Sequence, residues 1–343
     1  MIILGIESSC DETSVAVLKD GAVLSSLTHS QEEHSLYGGV VPEIASRAHL
    51  EKIDVLTKRV IKECNLTIDQ LDLIAVTDSP GLAGALLVGV SFALGLHTAY
   101  DIPVTGVNHL DGHICSLFIE HPDIPTPFLS LLASGGHTAI YRYESYGNCR
   151  CLGETVDDAA GEAFDKVGKL LGFPYPAGRA IEEEAAKADN ADNANVNADH
   201  KIENIKFPIA RLSSPDSLDF SFSGLKTAVK NFISSNSEQY IKENRPQICR
   251  AFQKAVAGSL VNNLYSAFKS DDGIKTVALG GGVACNGYLR VELIKKFGAE
   301  NVFFPSPKFC TDNGAMIAMA GLKMYNASKT RFPNMDPARG ISS

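Results

Sequence analysis

Apolar residues fill positions 2–6, polar ones fill 7–13, and apolar ones return over 14–18. Two short apolar runs around a polar stretch predict a β-hairpin, here with an unusually polar tip, ESSCDET. The same layout recurs over residues 128–143, where FLSLLA enters the turn SGGHT and AIYRY leaves it. The chain therefore repeats itself. Between the copies, residues 42–64 show helical spacing with Arg47, Glu51, Lys52, Lys58 and Arg59 on the exposed side. Residues 73–77 read as a strand ended by SPG, 84–98 as a helix and 103–107 as a strand.

Three prolines in HPDIPTPF, residues 121–128, fall where one copy ends and the next begins. They predict a first domain over 1–123 and a second over 124–312, with residues 313–343 packing back on the first. In the second half the pattern predicts helices over 158–171, 222–234 and 245–269. A strand over 275–279, a glycine turn at 280–282, a helix from Ala284 and a last helix over 312–325 follow. Residues 185–204, a run of Ala, Asn and Asp without an apolar face, predict a mobile insertion near 187–204. The polar tail after Asn326, with Lys329, Arg331 and Arg339, predicts a frayed terminus.

A length of 343 residues suits two domains with a ligand cleft between them. With 45% hydrophobic and 21% charged residues and a mean hydropathy of +0.01, the chain reads as globular, without a membrane-spanning bundle. The most apolar stretch, 82–96, is shorter than the ~20 residues a bilayer requires and is expected to be a buried helix. MIILGIESSCDET has no basic start, so neither a signal peptide nor an anchor is expected, and the location is expected to be cytoplasmic. Eight cysteines without a CxxC pair are expected to be reduced thiols. Cys149 and Cys151 would share one strand face and pack in the core. A net charge of -9 and a pI near 5.5 argue against a chain that grips a polyanion unaided.

Candidate chemistry begins with His109 and His113 in NHLDGHICS. Four residues on a helix rise about 6 Å, so both imidazoles face one way and can share a metal ion, although such pairs are more often structural. Asp312, opening the last helix, is either a third ligand or a helix cap, and its spacing alone favours the cap. The turns SGGHT (134–138) and LGGGVACNG (279–287) each follow a strand, and glycines there let backbone amides approach a phosphate. Neither GxGxxG nor GxxxxGK[ST] is present. Asp11 and Glu12 on the first tip suit a cation or a proton transfer. Asp157, Asp158, Glu162 and Asp165 cluster at a helix start, most of them as favourable charges on its dipole.

Taken in order, GIESSCDETSVAV, GGVVPEIASRAH, NHLDGHI, LLASGGHT, GEAFDKVGKLLG, FSFSGLKTAV, LGGGVACNGYLR and CTDNGAM resemble the bacterial tRNA N6-adenosine threonylcarbamoyltransferase family over nearly the whole chain. The resemblance implies an α/β architecture of the actin, Hsp70 and sugar-kinase kind, two domains with duplicated mixed sheets and flanking helices. It implies transfer of a threonylcarbamoyl group from threonylcarbamoyl-AMP to N6 of the adenosine beside the anticodon, in tRNAs reading codons that begin with A. It further implies one divalent metal, Fe2+ ahead of Zn2+, on His109, His113 and Asp312. The adenylate would lie on Leu132, Ala133, Ser134, Gly135, Gly136, Asp165, Gly178, Glu182 and Asn286. Asp11 and Glu12 are the candidates for accepting the N6 proton. Implied partners are tRNA, a paralogous subunit of the same fold, a small P-loop ATPase and the synthase that supplies the adenylate, with no membrane.

Two departures stand out. PYPAGRAI replaces the family's PYPGGPAI at Ala177 and Arg179, and Leu132 stands where archaeal relatives place a tyrosine ligand. Rival readings are a sugar kinase or ATPase, a small-molecule O-carbamoyltransferase and a nucleotide-driven scaffold of the same fold. A zincin-type protease is a fourth, but Leu110 occupies the position where HExxH needs its glutamate.

Overall fold

The computed structural model describes residues 1–194, 205–209 and 217–338. Among the described residues, ten strands form two five-stranded sheets. The first contains β1 (Ile2–Glu7), β2 (Glu12–Lys19), β3 (Ala22–Ser30), β4 (Leu73–Ser79) and β5 (Val104–Asn108), in the order β3-β2-β1-β4-β5. The second contains β6 (Phe128–Ala133), β7 (Thr138–Ser145), β8 (Asn148–Glu154), β9 (Thr276–Gly280) and β10 (Val302–Phe303), in the order β10-β9-β6-β7-β8. In each sheet a meander of two antiparallel pairings continues into two parallel ones, so the second sheet duplicates the first.

Strand alternation sets the layers. In β2, Val15 and Val17 join the core beneath helices Pro42–Glu63 and Ala83–Tyr100, whereas Ala16 and Leu18 face the other way. In the second sheet, Leu129, Leu131 and Leu279 pack against the outer helices Ala160–Leu170, Gly178–Ala194, Ser223–Ser234, Arg245–Lys269 and Gly287–Phe297. Phe128 and Leu132 point inward. The inward residues of both sheets share one core with the helices His109–Cys115 and Gly314–Asn326. The last helix lies so close to β1 that a Cβ on Gly5 would fall 2.0 Å from the Gly314 carbonyl oxygen.

Several sequence expectations change. The helix Ala83–Tyr100, expected to be buried, is long and apolar enough to cross a membrane by length and composition, and only 28% of it is buried, with Leu87 exposed. The low-complexity run is helical as far as Ala194, and Ala185 and Ala188 are buried; residues 195–204 lie outside the described set. Cys149 is buried as expected, but Cys151 is exposed, because β8 is an edge strand. The helix expected from Ala284 begins at Gly287, after a short 3-10 turn.

The tail as far as residue 338 is strapped down rather than frayed. Arg331 bonds Thr105 through both backbone groups and donates two guanidinium hydrogen bonds to the buried Asp78, the Nη2 bond at 2.7 Å. Asn334 N also reaches Asp78, and Gly81 N donates to the Pro337 carbonyl. Gly106 must lack a side chain, since a Cβ there would lie 2.1 Å from Asp78 Oδ2 and 2.8 Å from Pro333 Cα. Arg339 lies outside the described residues.

Candidate metal centre

Asn108 ends β5 and caps the helix His109–Cys115 by accepting from Leu110 N, so the helix begins at the strand's edge with both histidines on one face. Their ring centroids are 4.6 Å apart at 79°. Asp312 arrives from the other direction, just before the last helix. That helix is capped by Asn313, which accepts from Met316 N, so Asp312 is released from the capping role its position suggested. Its Oδ1 lies 3.1 Å from His113 Nε2 and 3.5 Å from His109 Nε2. One ligand atom from each of the three residues lies within 4.8 Å of the others.

Two observations test whether a cation fits. His113 is fully buried and neither ring nitrogen makes a hydrogen bond of good geometry, Nε2 having only the Asp312 contact, so coordination through Nε2 would satisfy that nitrogen. His109 Nδ1 lies 3.1 Å from Glu7 Oε2 and 3.2 Å from Ser9 Oγ. A carboxylate accepts, so Nδ1 carries a proton toward Glu7, which would leave Nε2 to a bound ion, the usual support for a metal-bound histidine. Glu7 is itself fixed by Thr77 Oγ1 and by Ser9 N, both at 2.5 Å. Two imidazoles and a carboxylate suit a divalent first-row metal.

The charges agree. Burial opposes charge on His109, but Asp312 and Glu7 outweigh it and raise the imidazole to about 9. Burial likewise opposes ionisation of Asp312, yet the two histidines hold it well below the carboxylate range. Glu12, on the first tip, is pushed well above its ordinary value by burial and then by Asp312, Asp11 and Glu7. His137, on the second tip, is depressed to about 4 by burial and by His109 and His113, so the second tip faces the centre as well.

The expected adenylate residues converge in part. Leu132 and Ala133 are fully buried in β6, while Ser134, Gly135 and Gly136 form the tip, held by Ser134 N to the His137 carbonyl at 2.8 Å. This tip rests on the start of helix Ala160–Leu170 through Gly161 N to the Ser134 carbonyl, 3.1 Å. Asp165 accepts from Ala177 N at 2.7 Å, just before Gly178 opens its helix, and Glu182 accepts from Gly287 N at 2.6 Å. The Asn286 side chain is committed on both sides, capping its helix at Leu289 N and donating to Gln253 Oε1. Across the gap, the Asp11 carboxylate adds to the burial that raises Asp165. Of the departures, Ala177 packs into the core against Gly168, and Arg179 points outward to Glu183.

The acidic cluster divides. Asp157 accepts from Phe222 N, Ser223 N and the hydroxyls of Ser221 and Ser223, so it caps the start of helix Ser223–Ser234 rather than its own helix. Asp158 pairs with Lys166 and Lys226. Glu7 and His137 were missed; Glu7 was visible only as a lone charge ending an otherwise apolar strand.

Fold and site together define an α/β protein of the actin-like fold class, two duplicated mixed sheets with flanking helices, with a His-His-Asp cluster that could hold a metal ion. Similar solved structures agree on the fold: full-length HypF in a phosphate- and nucleotide-bound form has a TM-score of 0.59 at 16% identity, covering 96% of this chain and 56% of that one. Component A of the Acidaminococcus fermentans (R)-2-hydroxyglutaryl-CoA dehydratase has a TM-score of 0.55 at 14% identity, covering 95% and 99%. The family model described as TsaD: tRNA N6-adenosine threonylcarbamoyltransferase matches residues 22–319. Proteins of that name from Thermosipho africanus (47% identical, covering 95% of this chain and 94% of theirs) and Clostridium novyi (46%, covering 94% and 92%) are similar throughout. The chain belongs to the tRNA N6-adenosine threonylcarbamoyltransferase family, acyltransferases that modify tRNA.

Proposed function

We propose that the chain moves the threonylcarbamoyl group of threonylcarbamoyl-AMP onto N6 of the adenosine beside the anticodon, with Fe2+ held by His109, His113 and Asp312. The observation that carries this reading is the buried His113 Nε2 with Asp312 Oδ1 3.1 Å away and no well-formed hydrogen bond, beside the strand that leads to the glycine turn 134–136. The ion, when bound, supplies Lewis acidity toward the carbamoyl oxygen.

The protein's own residues do the rest. Glu7 holds the His109 tautomer, and the open Gly135 and Gly136 admit the phosphate. Asp165 and Glu182 each have one carboxylate oxygen beyond its backbone bond for a ribose hydroxyl. Asn286 shapes the floor through its helix start rather than through its amide. N6 is a weak nucleophile because its lone pair is delocalised into the ring, so it attacks a carbonyl already activated as a mixed anhydride, and AMP leaves. Asp11 or Glu12 takes the N6 proton. For Glu12, raised by burial first and then by Asp312 and Asp11, a cation nearby would favour the ionised carboxylate that accepts a proton.

The acidic balance fits a tRNA enzyme that works with partners, a paralogous subunit and a small P-loop ATPase, in the cytoplasm. The exposed Leu50, Val55 and Leu87 on the two adjoining outer helices suit such a partner. The test is incubation with threonine, bicarbonate, ATP, tRNA, the adenylate synthase and these partners, followed by mass analysis of the nucleosides. Adenylate consumption that ignores tRNA would refute the proposal. In single-turnover assays Asp11→Asn and Glu12→Gln identify the base, and an unchanged rate excludes that residue.

A further inference from the structure

The end of β4 carries an irregularity on which two supports of the metal centre meet. Thr77 pairs with Val107 and Ser79 with Asn108, so Asp78 is an extra residue in the ladder between β4 and β5. On one side of it, Thr77 Oγ1 holds Glu7, the carboxylate that orients His109. Opposite its other side lies Asn108, which caps the helix bearing both histidines. Thr77, Asp78 and Ser79 are all fully buried. A buried carboxylate in such a bulge is drawn toward water unless its charge is answered.

The C-terminal tail answers it. Each Asp78 carboxylate oxygen accepts from Arg331, Oδ2 also accepts from Asn334 N at 2.8 Å, and the Asp78 carbonyl accepts from Asp336 N at 3.1 Å. Farther along, Gly81 N donates to the Pro337 carbonyl at 3.2 Å. The next residue, Leu82, donates through its N to Ser9 O at 2.8 Å, and Ser9 Oγ lies 3.2 Å from His109 Nδ1. At its other end the tail reaches the second sheet, where Lys329 Nζ donates to the Gly147 carbonyl between β7 and β8 at 3.1 Å. We propose that the tail over 329–337 is a strap that positions the metal centre, with Asp78 and Arg331 as positioning residues for His109. By fixing the bulge, the strap fixes Thr77, and with it the Glu7 carboxylate that accepts from His109 Nδ1.

The strap rests on the metal reading of the site, so its test includes one readout that needs no metal. Zn2+ is titrated into metal-stripped protein, and isotope-labelled histidine side chains are followed by NMR before any metal is added. The parent chain should show a His109 Nδ1 proton protected from exchange by Glu7. Two variants loosen the strap: Arg331→Met, and a chain ending at Pro333, which keeps Arg331 but lacks Asn334, Asp336 and Pro337. Both should lose that protection and bind Zn2+ about 3–10-fold more weakly, less than the loss expected on removing Glu7 itself, under conditions where circular dichroism shows them folded. If Arg331→Met does not fold, the shortened chain decides. Arg331→Lys, which keeps the charge without the two-pronged geometry, should recover part of the affinity. Asp157→Ala, which unties a helix start on the second sheet, controls for lost stability alone and should change neither readout. Zinc affinity and proton protection like the parent's in the strap variants, or equal losses in Asp157→Ala, would overturn the strap. A parent chain that takes up no Zn2+ sinks the metal reading instead, and the Nδ1 proton then decides the strap by itself.

Discussion

Replacing Arg331 with methionine keeps the length of the side chain and removes its charge from Asp78. Asp78 is fully buried and accepts from the guanidinium twice, from Ser79 Oγ and from Asn334 N. The substitution removes two of these four bonds together with the counter-charge. Stranding a buried charge costs about 3–5 kcal/mol. The Arg331 side chain is 27% exposed, so water can reach part of the vacated space, and we expect a loss of about 2–4 kcal/mol. Arg47→Met supplies the control, because its pair with Glu43 is 75% and 77% exposed and screened by water, so its loss should hardly move the midpoint. Urea unfolding followed by circular dichroism measures both variants, since the chain has no tryptophan. Adding Asp78→Asn to Arg331→Met should recover part of the loss by removing the stranded charge. The reasoning is refuted if Arg331→Met shifts the urea midpoint no more than Arg47→Met does, or if the double variant is no more stable than the single one.

Glu7→Gln preserves shape but weakens support for His109, so metal affinity should fall about 10–100-fold while the circular dichroism spectrum is retained; metal titration reads this directly. His113→Ala should abolish stoichiometric metal, read by elemental analysis of the folded variant. In metal-stripped protein, stability should decline as pH rises. His109 is raised from 6.5 to about 9, so its contribution, up to about 3 kcal/mol, is present below 6.5 and lost through 9. Glu12, also raised, acts with the same sign above 4.5. Urea midpoints that rise between pH 6 and pH 9 would contradict this. Asp157→Ala removes the cap on helix Ser223–Ser234 and should cost about 1–2 kcal/mol; a Tm unchanged from the parent chain would dismiss the capping role.

The central strands were legible because they are buried on both faces and therefore written as unbroken apolar runs. β3 and β8 were not. As edge strands they carry serines, histidine and charges that keep the edge from pairing with another chain, and this composition reads as loop. The histidine pair was visible from its spacing, but Asp312 was not separable from a cap until Asn313 proved to hold that position. Asp157 misled for a related reason: a carboxylate near one helix start can serve another helix 65 residues away, and only the tertiary fold brings the two together. The tail escaped because its hold comes from backbone groups and one buried ion pair, which leave no periodic trace.

The three metal-centre residues belong to a different layer from the expected adenylate residues. His109 and His113 lie on a helix packed against the last helix, where a Cβ on Gly112 would fall 2.8 Å from Ile317, and both helices sit in the core shared by the two sheets. Gly178 and Asn286 lie at the starts and Asp165 and Glu182 on the second turns of outer helices on the far side of the second sheet, where single hydrogen bonds from Ala177 N and Gly287 N fasten the segments to one another. Side chains enclosed by packed layers hold their geometry, whereas helix starts joined by single hydrogen bonds adjust at low cost. An ion on His109, His113 and Asp312 would thus take its position from the most constrained part of the molecule, and the proposed substrate loops would be fitted to it. Glu182→Ala should therefore weaken adenylate use while leaving metal affinity unchanged. Loss of both in parallel would show that the two layers are not mechanically separate.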